Sequence, residues 1–466
     1  MRKILINTIS AVILLFLAVS CRKLEIPDDG FIPTIPEETL ARNTWIKEVM
    51  DLYYYWNDRI PADVDYRTET DSKIFFEKLL YREKDKWSTI TEEFIPLNDE
   101  LNGVPITMGY YPVFYRTSPL SDNVIAVVAY VYPQSVAHEA GLERGDIILS
   151  INNIVLDTSN YYSLYSGGSY SVQLGMITEN NFEFTGESLN MTTRLTHTDP
   201  SIYHEIFDID GYKIGYFVYT EFISGEQGEY LLTMDNIFNE FKTANISELI
   251  IDLRYNPGGN IYAAVHLASQ IAPSAATINE LTIIDLQYNN GLQAYLEYYG
   301  YTNYLHYNFE PISSNVDMQR VYILTTSRSA SASELLITGL EPYMDVVQIG
   351  DTTYGKYAGS WVIPDDSSKW AMMPIVTKYS NSAGFTDFED GLAPDHYLDD
   401  DLISAVPFGD TSDPLVAKAI ELAIGNPGTP KSPKGELWEK FIHISPGKMN
   451  RRNNMLILPR LDQMRK

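Results

Sequence analysis

The chain has 466 residues, enough for two to four domains at about 150 residues each. Its 34 Lys/Arg against 62 Asp/Glu give a net charge of −28, which repels a phosphate backbone, and no basic stripe with interleaved aromatics offsets it; nucleic acid is excluded as a partner. Hydrophobic residues at 45% and charged residues at 21% exclude wholesale disorder, and the single cysteine, Cys21, excludes an intrachain disulfide, a Cys-rich zinc site and a Cys-His catalytic pair.

In chain order, Arg2 and Lys3 precede a mostly apolar run from Ile4 to Val19 that ends in small residues, the pattern of an export signal over residues 1–20. Cys21 directly follows Leu17-Ala18-Val19-Ser20. This arrangement resembles a bacterial lipobox, which implies lipidation of Cys21 and a membrane-anchored lipoprotein of the cell envelope, periplasmic or surface-exposed. The competing reading is an uncleaved N-terminal membrane helix; both put the bulk of the chain outside the cytoplasm. Residues 21–38, rich in Pro, Asp and Gly, read as a tether.

From Thr39, apolar residues recur at helical spacing through Trp45, Val49, Leu52, Tyr53 and Trp56, and again in Ser72 to Tyr81. These predict a helical N-terminal domain over 39–91. Strand-like alternation then begins near Val104 and continues through Val124 to Val128. The following run, Tyr132-Pro133-Gln134-Ser135 through Gly141-Leu142 to Gly145-Asp146-Ile147, predicts a strand, a short helix capped by Gly141, a tight turn and another strand. The pattern resembles a PDZ domain, assigned to 92–189. The resemblance implies capture of a peptide C-terminus as an added strand, with Met108 to Tyr111 as the carboxylate loop.

From Ile206, short apolar strands alternate with helices: strands at 214–219, 248–253 and 321–324, helices at 229–241, 261–271 and from Ala332. Alternation of this kind predicts an α/β core with a largely parallel sheet over 190–426. The fold class is thus α/β and multidomain. The segment 427–466 carries nine Lys/Arg against Glu436, Glu439 and Asp462, and reads as a solvated basic tail.

Three loops carry the candidate chemistry. Asp252 to Asn260 contains Pro257-Gly258-Gly259, which frees main-chain N–H groups to face a cleft. Thr325 to Glu334 places serines where a buried strand gives way to a helix, at the positive end of its dipole; helix capping explains the same residues equally well. Gly350 to Tyr357 mimics a phosphate loop. It fails as one because Tyr357 stands where a hydroxyl should hold magnesium and Ser360 to Pro364 reads as a strand.

Together with Ile214 to Tyr219, Phe222 and Gly391-Leu392-Ala393-Pro394-Asp395, these loops resemble the tail-specific, or C-terminal processing, serine peptidases, which carry a PDZ domain and a Ser-Lys dyad. The resemblance spans about Trp87 to Asp395. It implies Ser331 as nucleophile, Lys356 as base, and an oxyanion hole from the N–H groups of Ala332 and of Gly258 or its neighbour. Many members carry a glutamine four residues after the lysine; Ser360 stands there and is the candidate orienter. A lysine serves as base only when neutral, so Lys356 must be desolvated; Tyr354, Tyr357, Trp361 and Val362 are candidates for that cover. The other serines read as loop and cap residues, and His266 as a packed or surface histidine. No cofactor or metal is implied. The expected function is a membrane-anchored serine endopeptidase acting on exported proteins through an acyl-enzyme, its partners being protein or peptide C-termini. The alternative is a catalytically inactive peptide-binding lipoprotein with the same fold.

Overall fold

The structure, a computed structural model, describes residues 35–178, 182–425, 441–444 and 456–458. The export signal, Cys21 and most of the proposed tether lie outside the described residues, and no described helix is long and apolar enough to cross a membrane.

The peptidase-like core is built on a six-stranded sheet in the order Ser201–Ile209, Tyr212–Tyr219, Glu248–Asp252, Arg320–Thr325, Asp345–Gly350, His396–Tyr397. The first pair is antiparallel and every later pair parallel. Strand alternation divides the apolar residues between two faces. Phe217, Tyr219, Ile251 and Ile323 pack against the helices Glu229–Ala244, Ile261–Ile271 and Ala332–Leu340. Tyr216, Val218, Ile250 and Leu324 instead meet Leu415, Val416, Ala419 and Ile420 of the helix Pro414–Ile424. The helices at 261–271 and from Ala332 begin where the sequence periodicity puts them.

A second mixed sheet runs Gly259–Asn260, Leu456–Ile457, Ala358–Ser360, Ile375–Asn381, Thr282–Tyr288, His306–Asn308. The helical N-terminal region, Glu37–Tyr53 and Ser72–Leu79, buries Ile46, Met50, Phe75 and Phe76 in the core shared with this layer. Its first helix starts at Glu37, inside the expected tether, with Glu37 and Glu38 in the first turn, where carboxylates complement the helix dipole.

The PDZ-like region forms a sheet ordered Ile442–Ile444, Tyr110–Arg116, Val124–Val131, Ile147–Ile151, Ser169–Ile177, Phe182–Thr192. Val136–Ala140 is the short helix, ended by Gly141 in the left-handed conformation as expected (φ 89°). Two differences from the sequence reading stand out. The helix Phe94–Leu101, assigned to the PDZ region by sequence, packs Leu97 on Ala371 and Met373 of the peptidase side. The basic tail is no solvated appendage in its two described pieces: each is a strand in a sheet, and Leu458 is buried. Charge composition misled here, because the apolar Ile442-His443-Ile444 and Leu456-Ile457-Leu458 stretches decide the docking.

A buried ionic cluster joins the two regions. Arg254 donates through Nε and Nη2 to Asp252 and through Nη1 to Asp400 and Asp413. Arg144, from the PDZ turn, donates to Tyr255 Oη and the Ala129 carbonyl, and Tyr255 Oη donates to Asp400. Removing Arg254 takes away the guanidinium that hydrogen-bonds Asp252 and Asp413 and leaves Asp400 paired with Arg144 alone. Arg254→Ala is expected to cost about 3–5 kcal/mol, read as a lowered urea midpoint, and Arg254→Lys to recover little of it because an ammonium lacks the planar fork.

Candidate active site

The site is assembled from the ends of two neighbouring parallel strands, the usual location in such a sheet. After strand Arg320–Thr325 the chain crosses a serine-rich loop and enters the helix Ala332–Leu340 through Ser331. Ser331 has φ 58° and ψ −106°, a strained conformation for a residue with a Cβ and one that recurs at nucleophile elbows. Its Oγ is buried and accepts or donates no hydrogen bond among the described residues. The neighbouring serines have structural work, as expected. Ser329 Oγ donates to the Leu253 carbonyl at 2.7 Å and Ser333 Oγ to the Asn256 carbonyl at 3.0 Å, fastening this loop to the glycine loop.

Lys356 follows strand Asp345–Gly350 and is 1% exposed. Burial pulls its pKa down to about 7, against the smaller opposing pull of Asp85 and Glu334. Its cover differs in part from the sequence expectation. Tyr357 and Trp361 are buried, Tyr354 is 40% exposed, Val362 packs on the Leu97 cluster instead, and Trp87 of the N-terminal region places its ring 5.9 Å from Nζ. Gly350 to Tyr357 is followed by strand Ala358–Ser360 rather than a helix, so no phosphate loop exists here.

Glu334 and Tyr379 bring the Ser331 and Lys356 main chains together. The Glu334 carboxylate is buried. Oε2 accepts the N–H groups of Ser331 at 2.6 Å and Lys356 at 2.8 Å, while Oε1 accepts Gly355 N–H at 2.5 Å and Thr353 Oγ1 at 2.6 Å. Burial raises its pKa to about 7, with these hydrogen bonds pulling the other way. Tyr379 Oη donates to the carbonyls of both Ser331 and Lys356 at 3.2 Å. The two main chains are therefore pinned side by side, although the Ser331 and Lys356 side chains are not in direct hydrogen bond.

The expected oxyanion groups fare differently. Ala332 N–H, first in its helix, has no intrahelical acceptor. Gly258 N–H instead donates to Asn256 Oδ1 at 2.9 Å, the Asx-turn bond an asparagine makes two residues on, so it is not free to bind an oxyanion. The loop around it is held tightly: Phe222 N–H donates to the Gly258 carbonyl and Asn260 N–H to the Phe222 carbonyl. At Gly259 a Cβ would lie 2.2 Å from the Phe222 carbonyl oxygen, which only glycine avoids. Ser360 does not orient Lys356. It lies in the extended strand Ala358–Ser360, its carbonyl accepts Leu458 N–H at 3.1 Å, and no hydrogen bond joins it to the lysine.

His266 sits in the helix Ile261–Ile271 with its ring nitrogens on Asp235 and Glu310, apart from the site. No described cluster of His, Cys, Asp or Glu is placed to hold a metal. Sequence reasoning missed Asp85, Trp87, Tyr379 and the role of Glu334. Only Glu334 had a local signal: Ser331-Ala332-Ser333-Glu334 has the Ser-x-x-Glu spacing of a capping box.

Glu334→Ala is expected to orphan the N–H groups of Ser331, Gly355 and Lys356 and to destabilise the fold by about 3 kcal/mol or more. Thermal unfolding checks this, and Glu334→Gln is expected to rescue only in part because its amide presents donors to donors.

Comparison with known proteins gives matches to the peptidase family S41 over residues 213–398, the peptidase S41 N-terminal domain over 41–89 and a PDZ domain over 127–167. A carboxyl-terminal-processing protease of Picosynechococcus sp. is 22% identical over 334 residues, covering 70% of this chain and 72% of its own. Its counterpart from Synechocystis sp. is 24% identical over 334 residues, covering 70% and 69%. The crystal structure of a Bacteroides fragilis protein assigned to the S41 proteases superposes with a TM-score of 0.70 at 26% identity, covering 87% of this chain and 99% of the other.

Proposed function

The chain belongs to peptidase family S41 through residues 213–398 and is a serine-type peptidase carrying a PDZ domain, and on that premise we propose that Ser331 and Lys356 are its nucleophile and base. The observation that carries this reading is a buried, unpartnered serine hydroxyl at a strained elbow, fixed by one carboxylate to a lysine desolvated enough to be neutral near pH 7.

In this mechanism neutral Lys356 takes the Ser331 Oγ proton, directly after a side-chain rotation or through one water, as Oγ attacks the scissile carbonyl. The oxyanion forms at the N-terminus of the helix Ala332–Leu340, where the Ala332 N–H and the helix dipole stabilise it. The resulting lysine ammonium gives its proton to the departing amine, leaving an acyl-enzyme on Ser331. Water then loses a proton to Lys356, attacks the ester carbon, and frees the new carboxylate and the serine hydroxyl. Glu334 and Tyr379 are positioning residues, holding both main chains without touching substrate.

The substrates of this reading are protein C-terminal regions, supported by the carboxyl-terminal-processing activity named for the relatives and by the PDZ domain, in which Met108-Gly109 of the expected carboxylate loop precedes the strand Tyr110–Arg116 and Tyr110-Tyr111 begin it. Anchorage at Cys21 in the bacterial cell envelope remains part of the proposal, and rests on the leader and lipobox-like residues of the sequence.

Labelling of Ser331 by a fluorophosphonate and hydrolysis of casein test the assignment. Ser331→Ala is expected to abolish both, and Lys356→Arg to abolish hydrolysis despite keeping a cation, because a guanidinium does not deprotonate. An inert wild-type protein would favour the peptide-binding alternative.

The pH profile follows from the same group. Lys356 works only when neutral, and its pKa is about 7, so kcat/KM is expected to rise with pH through about 7 and level off above it. Below pH 6 it should fall roughly tenfold per unit. A flat profile from pH 5 to 9 would contradict a lysine base.

A further inference from the structure

Of the two described pieces of the C-terminal tail, one is added to a sheet edge and the other fills a gap between two strands. In the PDZ sheet, Ile442–Ile444 pairs antiparallel with Tyr110–Arg116, matching Ile442 to Arg116 and Ile444 to Phe114. Without this segment Tyr110–Arg116 would be an open edge, because its other neighbour is Val124–Val131. The register also sets a direction: each step toward the C-terminus moves toward Tyr110 and the Met108 to Tyr111 loop. Ile444 packs on the cluster containing Phe114, alongside Tyr161 and Tyr165 of the helix Tyr161–Tyr165, while Phe441 meets Phe182 and His443 meets Tyr115. That is strand addition between an edge strand and a helix.

The second piece lies in the catalytic region. Leu456–Ile457 runs parallel to Gly259–Asn260 on one side, and Ile457 pairs parallel with Ser360 on the other. The tail thus bridges the glycine loop, which is fastened to the nucleophile loop through Asn256, and the strand that leaves Lys356. Leu458 donates its N–H to the Ser360 carbonyl and buries its side chain in the main core. Ile457 packs toward Leu97 beneath the helix Phe94–Leu101. Beside Ile457 and Leu458 remains a cavity of about 160 Å³ with a mixed lining, Phe94, Leu101 and Val362 on its apolar side and Asn98, Asn102 and Glu221 on its polar side.

We infer that the cleft between Gly259–Asn260 and Ala358–Ser360 is the extended-peptide groove of this enzyme, that it takes apolar segments of the Leu-Ile-Leu kind, and that the chain's own C-terminal tail is its resident occupant. The inference rests on the peptidase reading above and adds to it a substrate class and a competitor in cis. Two separate strand pairings, one at the edge of the PDZ sheet and one inside the cleft, argue against incidental packing of either. Charge favours the same occupant, since the tail is the basic part of an acidic chain. A tethered occupant competes at an effective concentration on the order of millimolar, so displacing one that binds with a Kd of about 0.1 mM should raise access to the cleft roughly tenfold.

The test uses full-length protein with Leu458→Asp or Ile444→Asp, each checked for folding by thermal unfolding. Fluorophosphonate labelling of Ser331 is expected to be roughly tenfold faster in Leu458→Asp than in wild type, by the same effective-concentration argument, with a smaller gain in Ile444→Asp. A fluorescent synthetic peptide of residues 452–461 is then expected to bind the Leu458→Asp chain saturably and to slow its labelling again, whereas a scrambled peptide does neither. Folded variants that label at the wild-type rate, or a peptide that fails to bind, would overturn the inference. Peptide binding is also measured in a Ser331→Ala, Leu458→Asp chain, where no chemistry is needed. Binding there, without labelling of any serine-bearing form, would sink the peptidase reading and leave the groove and its occupant standing.

Discussion

The site depends on one buried carboxylate. Glu334 has no exposure, and an ionised carboxylate there is tolerable only because four donors converge on it. Three of them are main-chain N–H groups from two different loops, so the carboxylate is what sets the distance between the Ser331 elbow and the Lys356 loop. The same burial that makes this clamp costly for Glu334 drives Lys356 toward neutrality, and both groups titrate near 7. Structure and catalysis are thereby coupled: loosening the clamp would also let water in and return the lysine to its ordinary, protonated state.

The parts legible in sequence are those whose information is local. The Ile261–Ile271 and Ala332–Leu340 helices and the strands around 214–219, 248–252 and 320–325 carry their own periodicity, and the Ser331 and Lys356 loops carry a spacing that resembles a known family. What escaped is non-local. Asp85 and Trp87 reach Lys356 from the N-terminal helical region, across some 270 residues of sequence. Tyr379 bridges Ser331 and Lys356 from the second sheet, and nothing in the residues around it marks that role. Gly258 shows a subtler limit. The loop was recognisable, but which N–H remains free was decided by the Asn256 side chain two residues earlier. Ser360 failed for a geometric reason, since an extended strand carries it off to pair with Ile375 and Ile457.

The PDZ region is joined to the peptidase core by more than a linker. Arg144 of its Gly-Asp turn enters the cluster around Arg254 and Asp400, and burial leaves those charges no solvent to retreat to. Burial opposes the charged form of Asp400, yet its pKa stays below the ordinary range because Arg254 and Arg144 stand against it. The cluster also contains Asp252, at the end of the strand that delivers the glycine loop. One ionic network thus fixes the angle of the PDZ sheet and the take-off of the loop facing Ser331. A second link runs through Arg328, three residues before Ser331, which faces Tyr115 on the PDZ strand Tyr110–Arg116.

These two links bear on how an occupied PDZ edge relates to an occupied cleft. Tyr115 is the residue opposite His443, and its ring meets the histidine ring edge-on, so a strand added at that edge touches the residue that Arg328 faces. At the other end, a strand in the cleft touches Gly259, whose loop is tied through Asn256 to Ala330 and Ser333 on either side of Ser331. Each of these two strand pairings therefore reaches Ser331 through a short chain of packed or hydrogen-bonded groups, one from each flank of the serine loop. Because backbone strain is already stored at Ser331, small displacements from either flank act on a strained residue rather than on a relaxed one. A tail that engages both edges holds both flanks at once, which is why its two short strands carry more consequence than their length suggests.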